Sequence, residues 1–144
     1  MKENNEDNIQ NGIKHIVETI LGTEDQTAKY KEADIRENSN MALISYLIPP
    51  VPFIVERSSK YVRFHSNQGM NNFAWLILLM LFMWVVDVAF AWDNYIKAIR
   101  IIIVVLYIIL SVIGIYNVIN NKAREIPLAG KVNFIDIFSG LFGK

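Results

Sequence analysis

Residues 60–73 read KYVRFHSNQGMNNF, and residues 74–86 directly behind them read AWLILLMLFMWVV. A buried amide or imidazole without a partner costs roughly 2–7 kcal/mol in an apolar environment. Five such side chains nevertheless stand at the threshold of this apolar run: His65, Asn67, Gln68, Asn71 and Asn72. The stretch is therefore either exposed to water or a polar site that the rest of the fold encloses.

The composition points to one membrane-associated domain. The chain has 144 residues, of which 53% are hydrophobic, and most of the hydrophobic excess lies beyond Met41. Residues 1–40 hold nine Asp/Glu and five Lys/Arg, and the remainder holds five and nine. A basic patch with interleaved aromatic residues is missing, so nucleic acid is not an expected partner. Cysteine is absent, which excludes disulfides, thiolate metal sites and a cysteine nucleophile.

Residues 1–40 form a polar, acidic N-terminal region. Apolar residues recur at helical spacing from Ile9 to Leu21, which predicts an amphipathic helix over about residues 9–21. This helix either lies on a membrane surface or packs on its own protein or on a sister subunit. Asp34 is expected to cap a helix that runs from Ile35 into the next apolar segment.

Residues 41–120 form the predicted membrane domain, with apolar segments at 41–55, 73–92 and 99–119. The second and third segments are long enough to cross a bilayer as helices. A tight turn at Asp93-Asn94 makes them an antiparallel transmembrane hairpin. The predicted fold class is therefore an all-α integral membrane protein, in which amphipathic helices flank a transmembrane hairpin and a short first apolar segment.

The first apolar segment is broken by prolines. Its fifteen residues, 41–55, are short for a transmembrane helix, and proline interrupts helical hydrogen bonding. Its length and its prolines support re-entry on the same side, whereas its apolar character, together with the resemblance described below, supports a full crossing, which we expect. The break consists of Pro49, Pro50 and Pro52. The tail, residues 121–144, carries a predicted interfacial amphipathic helix over about 132–142.

The distribution of basic residues predicts the orientation. Lys and Arg in short loops favour the cytoplasmic side of a membrane. Arg57, Lys60 and Arg63 lie between the first two apolar segments, and four more basic residues follow the last one. We therefore expect a multi-pass protein of the cell membrane, with loop 56–65 and the C-terminus in the cytoplasm.

Asp87 is the one ionisable residue well inside a predicted span, and such a residue is a candidate functional group. Folding the hairpin at Asp93-Asn94 brings Asp87 to the depth of Arg100. We therefore predict an ion pair between them that locks the hairpin. A proton or ion relay is the alternative, although a second acidic residue at similar depth is missing.

The five polar residues of the opening stretch form a predicted membrane-junction cluster. Helical spacing puts His65, Gln68 and Asn72 on one face, and Asn67 and Asn71 on the adjacent face. These side chains either make hydrogen bonds at headgroup level or face the proline break and satisfy its carbonyl groups. Two histidines fifty residues apart do not predict a metal site, and neither a catalytic residue nor a cofactor motif is recognisable.

Three stretches together carry a family resemblance: DIRENSNMALISYLIP (34–49), YVRFHSNQGMNNF (61–73) and EIPLAGKV (125–132). In this order and spacing they resemble a family of small, mostly uncharacterised bacterial membrane proteins, which is related to the Tic-twenty component of the chloroplast protein import machinery. The likeness covers roughly residues 27–132. It implies an α-helical, multi-span membrane protein with a short first span, and it brings no catalytic residues.

The sequence favours a non-enzymatic role in the membrane. Two full spans and one broken span enclose too little interior for a pore, so other membrane proteins or further copies of the chain are expected as partners beside the lipid bilayer. The leading hypothesis is a subunit or accessory factor of a larger membrane assembly. The alternatives are a transport or protein-translocation component, with the polar residues lining its path, and a membrane-bound immunity or stress protein.

Overall fold

The computed structural model describes residues 11–12, 23–56, 58–90 and 93–127. Within residues 23–127, a short 3-10 turn at Thr27–Lys29 precedes the helices α1 (Glu32–Leu47), α2 (Pro50–Val55), α3 (Lys60–Phe90) and α4 (Asp93–Ile119). The predicted all-α fold class is confirmed for these residues. Apart from residues 11 and 12, the predicted helix over 9–21 lies outside the described residues, as does the one over 132–142.

Helix α1 starts earlier than predicted and ends at the proline break. Glu32 and Asp34 lie in its first turn, where carboxylates interact favourably with the positive end of the helix dipole. Ile48 has φ −136° and ψ 77°, because the residue before a proline is disfavoured in the helical conformation. The helix therefore ends at Leu47, one residue before this position.

The three prolines occupy positions at which a helix needs no backbone donor. Pro49 is the N-cap of α2, Pro50 is its first residue and Pro52 is its third. The first N–H groups of a helix have no acceptor within the helix, so proline at these positions leaves no donor unpaired. The N–H of Val51 between them donates to the carbonyl of Ile48 at 3.1 Å. The chain thus reverses direction without unpaired donors at these four residues.

Helix α3 begins at Lys60, well before the apolar run, because two side chains cap it there. The Ser59 hydroxyl accepts from the N–H of Val62 at 3.1 Å. The Asp34 carboxylate accepts from the N–H of Tyr61 at 3.2 Å and from the Ser59 hydroxyl at 2.6 Å. Asp34 was expected to cap α1; instead it lies inside the first turn of α1 and caps α3. The predicted span 73–92 belongs to a longer helix of 31 residues.

The contacts of α1 show how the proline-broken segment is arranged. Asp34, near the start of α1, bonds to Ser59, and Ser45, near its end, lies 3.1 Å from the Ser66 hydroxyl. Helix α1 therefore runs parallel to the first half of α3. Because the chain must return to Ser59 before α3 begins, both flanks of the apolar segment 41–55 lie at the same end of the molecule.

The segments before α1 and after α4 meet at this same end. Asp25 and Arg124 form an isolated antiparallel β-bridge, and the N–H of Gln26 donates to the carbonyl of Ala123 at 2.8 Å. We call this part of the molecule the bundle end; it consists of residues 23–31, 56, 58–60 and 120–127.

Two carboxylates at the bundle end are stabilised in their charged form. Glu56 accepts hydrogen bonds from the hydroxyl and the N–H of Ser58, which lower the pKa of Glu56. Burial of Asp25 acts to raise its pKa, but hydrogen bonds from Thr27 and nearby basic residues outweigh burial and lower it. Since both folded pKa values are depressed, these contacts stabilise the fold above the ordinary carboxyl pKa, and this contribution is lost as the pH falls through the folded pKa.

Among the described residues, the second half of α3 packs only against the first half of α4. Helix α4 begins at Asp93, so the turn predicted at Asp93-Asn94 is wrong: these two residues belong to the helix. Both helices are long and apolar enough to cross a membrane. Large apolar side chains are exposed along them, as expected for a surface in contact with lipid. They include Leu78, Phe82, Val88, Ile101, Ile102 and Leu106.

The substitution Gly69→Ala tests the closest approach of two helices. A Cβ atom at residue 69 would lie 1.9 Å from the carbonyl oxygen of Ser45, so α1 and α3 would have to separate. Overpacking a well-packed site typically costs about 1–3 kcal/mol. We expect at least this loss in the free energy of unfolding, measured in detergent by circular dichroism. Gly12→Ala is the control, because nothing lies within 4 Å of its added Cβ; equal stability of both variants would contradict this packing.

Candidate functional site

The five residues of the predicted membrane-junction cluster all lie in the first half of α3 and are all buried. Their exposed fractions run from 0% for His65 to 8% for Asn67. The change from buried to exposed side chains along α3 follows Asn72, since Ile77 and Leu78 are 50% and 54% exposed. Helix α3 thus has a polar half enclosed by protein and an apolar half that faces outward.

His65 is held between three aromatic rings. Its Nδ1 atom lies 2.8 Å from the Tyr46 hydroxyl of α1, and its ring packs edge-on against Tyr46, Tyr61 and Phe64. Its Nε2 atom has no hydrogen-bond partner among the described residues. An unpaired buried polar atom typically costs about 1–3 kcal/mol, so the aromatic packing and the Tyr46 contact must offset that cost. His65 therefore links α1 to α3 and is enclosed by protein.

Gln68 clamps the segment that follows α4. Its Oε1 atom accepts from the N–H of Ile126 at 2.9 Å, and its Nε2 atom donates to the carbonyl of Arg124 at 3.4 Å. The side-chain amide thus bonds to the backbone as a neighbouring β-strand would. The clamped segment is held on its other side by the bridge between Asp25 and Arg124.

Asn72 joins α3 to α4. Of the five cluster residues, it lies farthest from the bundle end. Its Nδ2 atom donates to the Ser111 hydroxyl at 3.0 Å and to the Tyr107 carbonyl at 3.3 Å. Asn67 and Asn71 are buried in the same half of α3, and each is engaged in an interaction of its own. The cluster was considered a source of donors for carbonyls of the proline break. For Gln68 and Asn72, the acceptors are instead Arg124, Tyr107 and Ser111.

Asp87 and Arg100 lie in the other half of the hairpin, 3.0 Å apart. Arg100 also donates to the carbonyl of Met83 at 3.4 Å. The two side chains are 26% and 27% exposed, so the pair is neither enclosed by protein nor free in solvent. It connects α3 with α4 far from the polar cluster.

The chemistry open to these residues is narrow. Among the described residues, no group of three or more His, Cys, Asp or Glu side chains could hold a metal ion. A groove of about 360 Å³ between α3 and α4 is lined mostly by apolar side chains, with Asn72 and Tyr107 as its polar members. The Asn72 amide at its edge bonds to Ser111, so the groove presents a mostly apolar surface.

Sequence reasoning missed several partners of the cluster. Ser45 and Tyr46 were assigned to an apolar segment, but they meet Ser66 and His65. Ile126 is fully buried at the Gln68 clamp. One signal was available: these residues belong to the three stretches that carry the family resemblance, and the structure brings the described residues of those stretches together in one core.

Replacing Gln68 tests the clamp. Gln68→Ala leaves the buried N–H of Ile126 without its acceptor, which typically costs about 1–3 kcal/mol. We expect the free energy of unfolding in detergent to fall by about this amount, and the bond after Arg124 to become sensitive to trypsin.

Arg63→Ala is the matched control, because Arg63 lies on the same helix and is exposed. If Gln68→Ala and Arg63→Ala were equally stable and equally resistant to trypsin, the clamp would contribute nothing.

Comparison with known proteins indicates the family of the chain. Over 103 residues, the chain is 30% identical to a UPF0132 membrane protein of the archaeon Archaeoglobus fulgidus. The match covers 68% of this chain and 92% of the archaeal protein. Neither a family model nor a solved structure matches the chain. With two apolar helices of spanning length and this extent of similarity, the chain belongs to the UPF0132 family of membrane proteins.

Proposed function

We propose that the protein is a non-enzymatic subunit or accessory factor of a larger membrane assembly. The observation that carries the proposal is the division of α3: the five polar side chains of the membrane-junction cluster are buried in its first half, and large apolar side chains of its second half face outward. A chain arranged in this way offers other molecules an apolar surface within the membrane.

The exposed surface of the hairpin supports this role. Trp75, Phe82 and Trp84 are 50–60% exposed on α3. Helix packing in membranes depends on close van der Waals contact, and two helices alone bury little of their surface. Further membrane proteins, or further copies of this chain, would cover these side chains.

A transport or translocation component is the second candidate, in keeping with the proposed relation to the Tic-twenty component. His65, Gln68 and Asn72 follow one another along a single face of α3, and this is the observation that favours a path. Against it, Tyr46, Ile126 and Ser111 occupy the space in front of these three side chains. A path would require α1 and the clamped segment to move away.

We further propose that the bundle end lies in the cytoplasm. Lys60, Arg63 and Lys122 are exposed there, whereas Lys97 and Arg100 are the basic residues near the other end of the described hairpin. Basic residues in short loops are retained on the cytoplasmic side. On this arrangement α1 and α2 enter the membrane and return to the cytoplasm without crossing it.

Accessibility labelling tests this topology, and the absence of native cysteine makes it simple. In intact cells, an impermeant maleimide should label Lys97→Cys but neither Lys29→Cys nor Lys60→Cys, because residues 29 and 60 share one end. All three should react once the cells are permeabilised. Labelling of residues 29 and 60 from opposite sides would show that the broken segment crosses the membrane.

Purification in mild detergent tests the functional proposal. The wild-type chain should be recovered in a complex, either with another membrane protein or with further copies of itself, as measured by native mass spectrometry. Phe82→Ala should reduce the bound fraction several-fold and leave the helical content unchanged, because the side chain is 60% exposed. Arg63→Ala, near the bundle end, is the control for the substitution.

A monomer without partners under these conditions would contradict the accessory role. The translocation candidate makes a different prediction for His65→Ala: the variant should fold normally and no longer transport its substrate across the membrane. If His65 instead serves the fold of an accessory subunit, His65→Ala lowers the yield of folded protein.

A further inference from the structure

The two ends of the hairpin differ in the number of helices around them. At the level of Ser45 and Ser66, α1 packs against α3, and α2 returns beside them. At the level of Asp87 and Arg100, only α3 and α4 are in contact among the described residues. The additional helices, α1 and α2, lie either inside the bilayer or above it.

Helix geometry places part of them inside. Asn72 is level with Ser111, and Asp87 is level with Arg100. The 15 positions from 72 to 87 span about 22 Å at about 1.5 Å per residue, whereas the hydrocarbon core is about 30 Å thick. Beyond the ion pair, Val88 and Phe90 are still 71% and 60% exposed, so the hydrocarbon reaches about 4 Å past Asp87 and about 3 Å, or roughly two residues, beyond Asn72 into the bundle.

The outer surface of the bundle at this depth is apolar. Leu47, Ile48 and Ile54, at the tip of α1 and α2, are 57–68% exposed. Tyr116 on α4 is 65% exposed, beyond Ser111 in the direction of the bundle end. The apolar tip is therefore continuous with the lipid-facing surface of the hairpin, which identifies lipid as the molecule that covers it. Lys60 and Arg63 are exposed on the headgroup side of this surface.

We propose that α1 and α2 form a wedge in one leaflet, so that the protein concentrates in membranes that are convex on the side of the bundle end. A helix with side chains is about 10–12 Å wide, so two further helices roughly double the area that the protein occupies in that leaflet. Of the described helices, only α3 and α4 reach the opposite leaflet. A membrane that is convex on the side of the wedge relieves this difference in area between the leaflets. Insertion into one leaflet is therefore sensitive to curvature.

The test uses the full chain carrying a fluorescent dye at Lys29→Cys, reconstituted into phosphatidylcholine vesicles of mixed diameter. An impermeant reductant bleaches the dye on molecules whose bundle end faces outward, so the two orientations can be counted separately on single vesicles. Outward-facing molecules should be enriched on small vesicles by about twofold or more, and inward-facing molecules should be depleted. Densities independent of diameter would overturn the proposal, as would a change of the same sign for both orientations.

Two matched variants test whether α1 and α2 cause the enrichment on small vesicles. Ile54→Asn places an amide at the tip of the wedge and should reduce the enrichment towards unity. Ile101→Asn alters a side chain of similar exposure, 64% against 61%, on α4 in the other leaflet, and should leave the enrichment intact. Equal effects of the two variants would overturn the assignment of the wedge to α1 and α2.

Discussion

The structure depends on pairing the polar side chains of one helix that also enters the membrane. Helix α3 carries His65, Gln68 and Asn72 on the same face, within a few residues of an apolar run. Lipid offers no hydrogen bonds, so these groups must find partners in the protein. Tyr46, the segment around Ile126 and Ser111 supply them. Most of the remaining architecture serves to bring those three partners into place.

The reversal of the chain between α1 and α2 is the main consequence of the need to pair these polar side chains. The chain must bring Ser45 and Tyr46 to the level of Gly69 and then return to Ser59, which requires a sharp reversal. The prolines permit that reversal, since they stand where a helix start needs no donor. Gly69 allows the two helices to approach closely, because any side chain there would meet the backbone of α1.

The sequence predicted the parts that depend on local pattern. The apolar runs led to the two long helices, because a span must be apolar over about twenty residues whatever surrounds it. Asp87 and Arg100 could be matched because both lie on one hairpin, where depth follows from counting residues. The reversal at the prolines could be located, but its direction could not be decided from composition.

The partners of the polar cluster depend on tertiary contacts that no local pattern records. Asp34 has the appearance of a cap for its own helix, yet its carboxylate reaches the start of α3, 25 or more residues away. Gln68 pairs with Ile126, 58 residues away. In both cases the residue type indicates that a hydrogen bond will form, and only the fold determines its partner.

The enclosure of the polar face of α3 by α1 is tested most directly by a cysteine pair at Ser45→Cys and Ser66→Cys, since the two hydroxyl oxygens lie 3.1 Å apart in the buried contact of these helices. Under mild oxidation in native membranes, the two thiols should form a disulfide nearly completely and leave the protein folded, whereas Leu47→Cys with Ser66→Cys should not. Thiols that stay reduced at 45 and 66, and that react separately with maleimide, would show that α1 does not cover the polar face of α3.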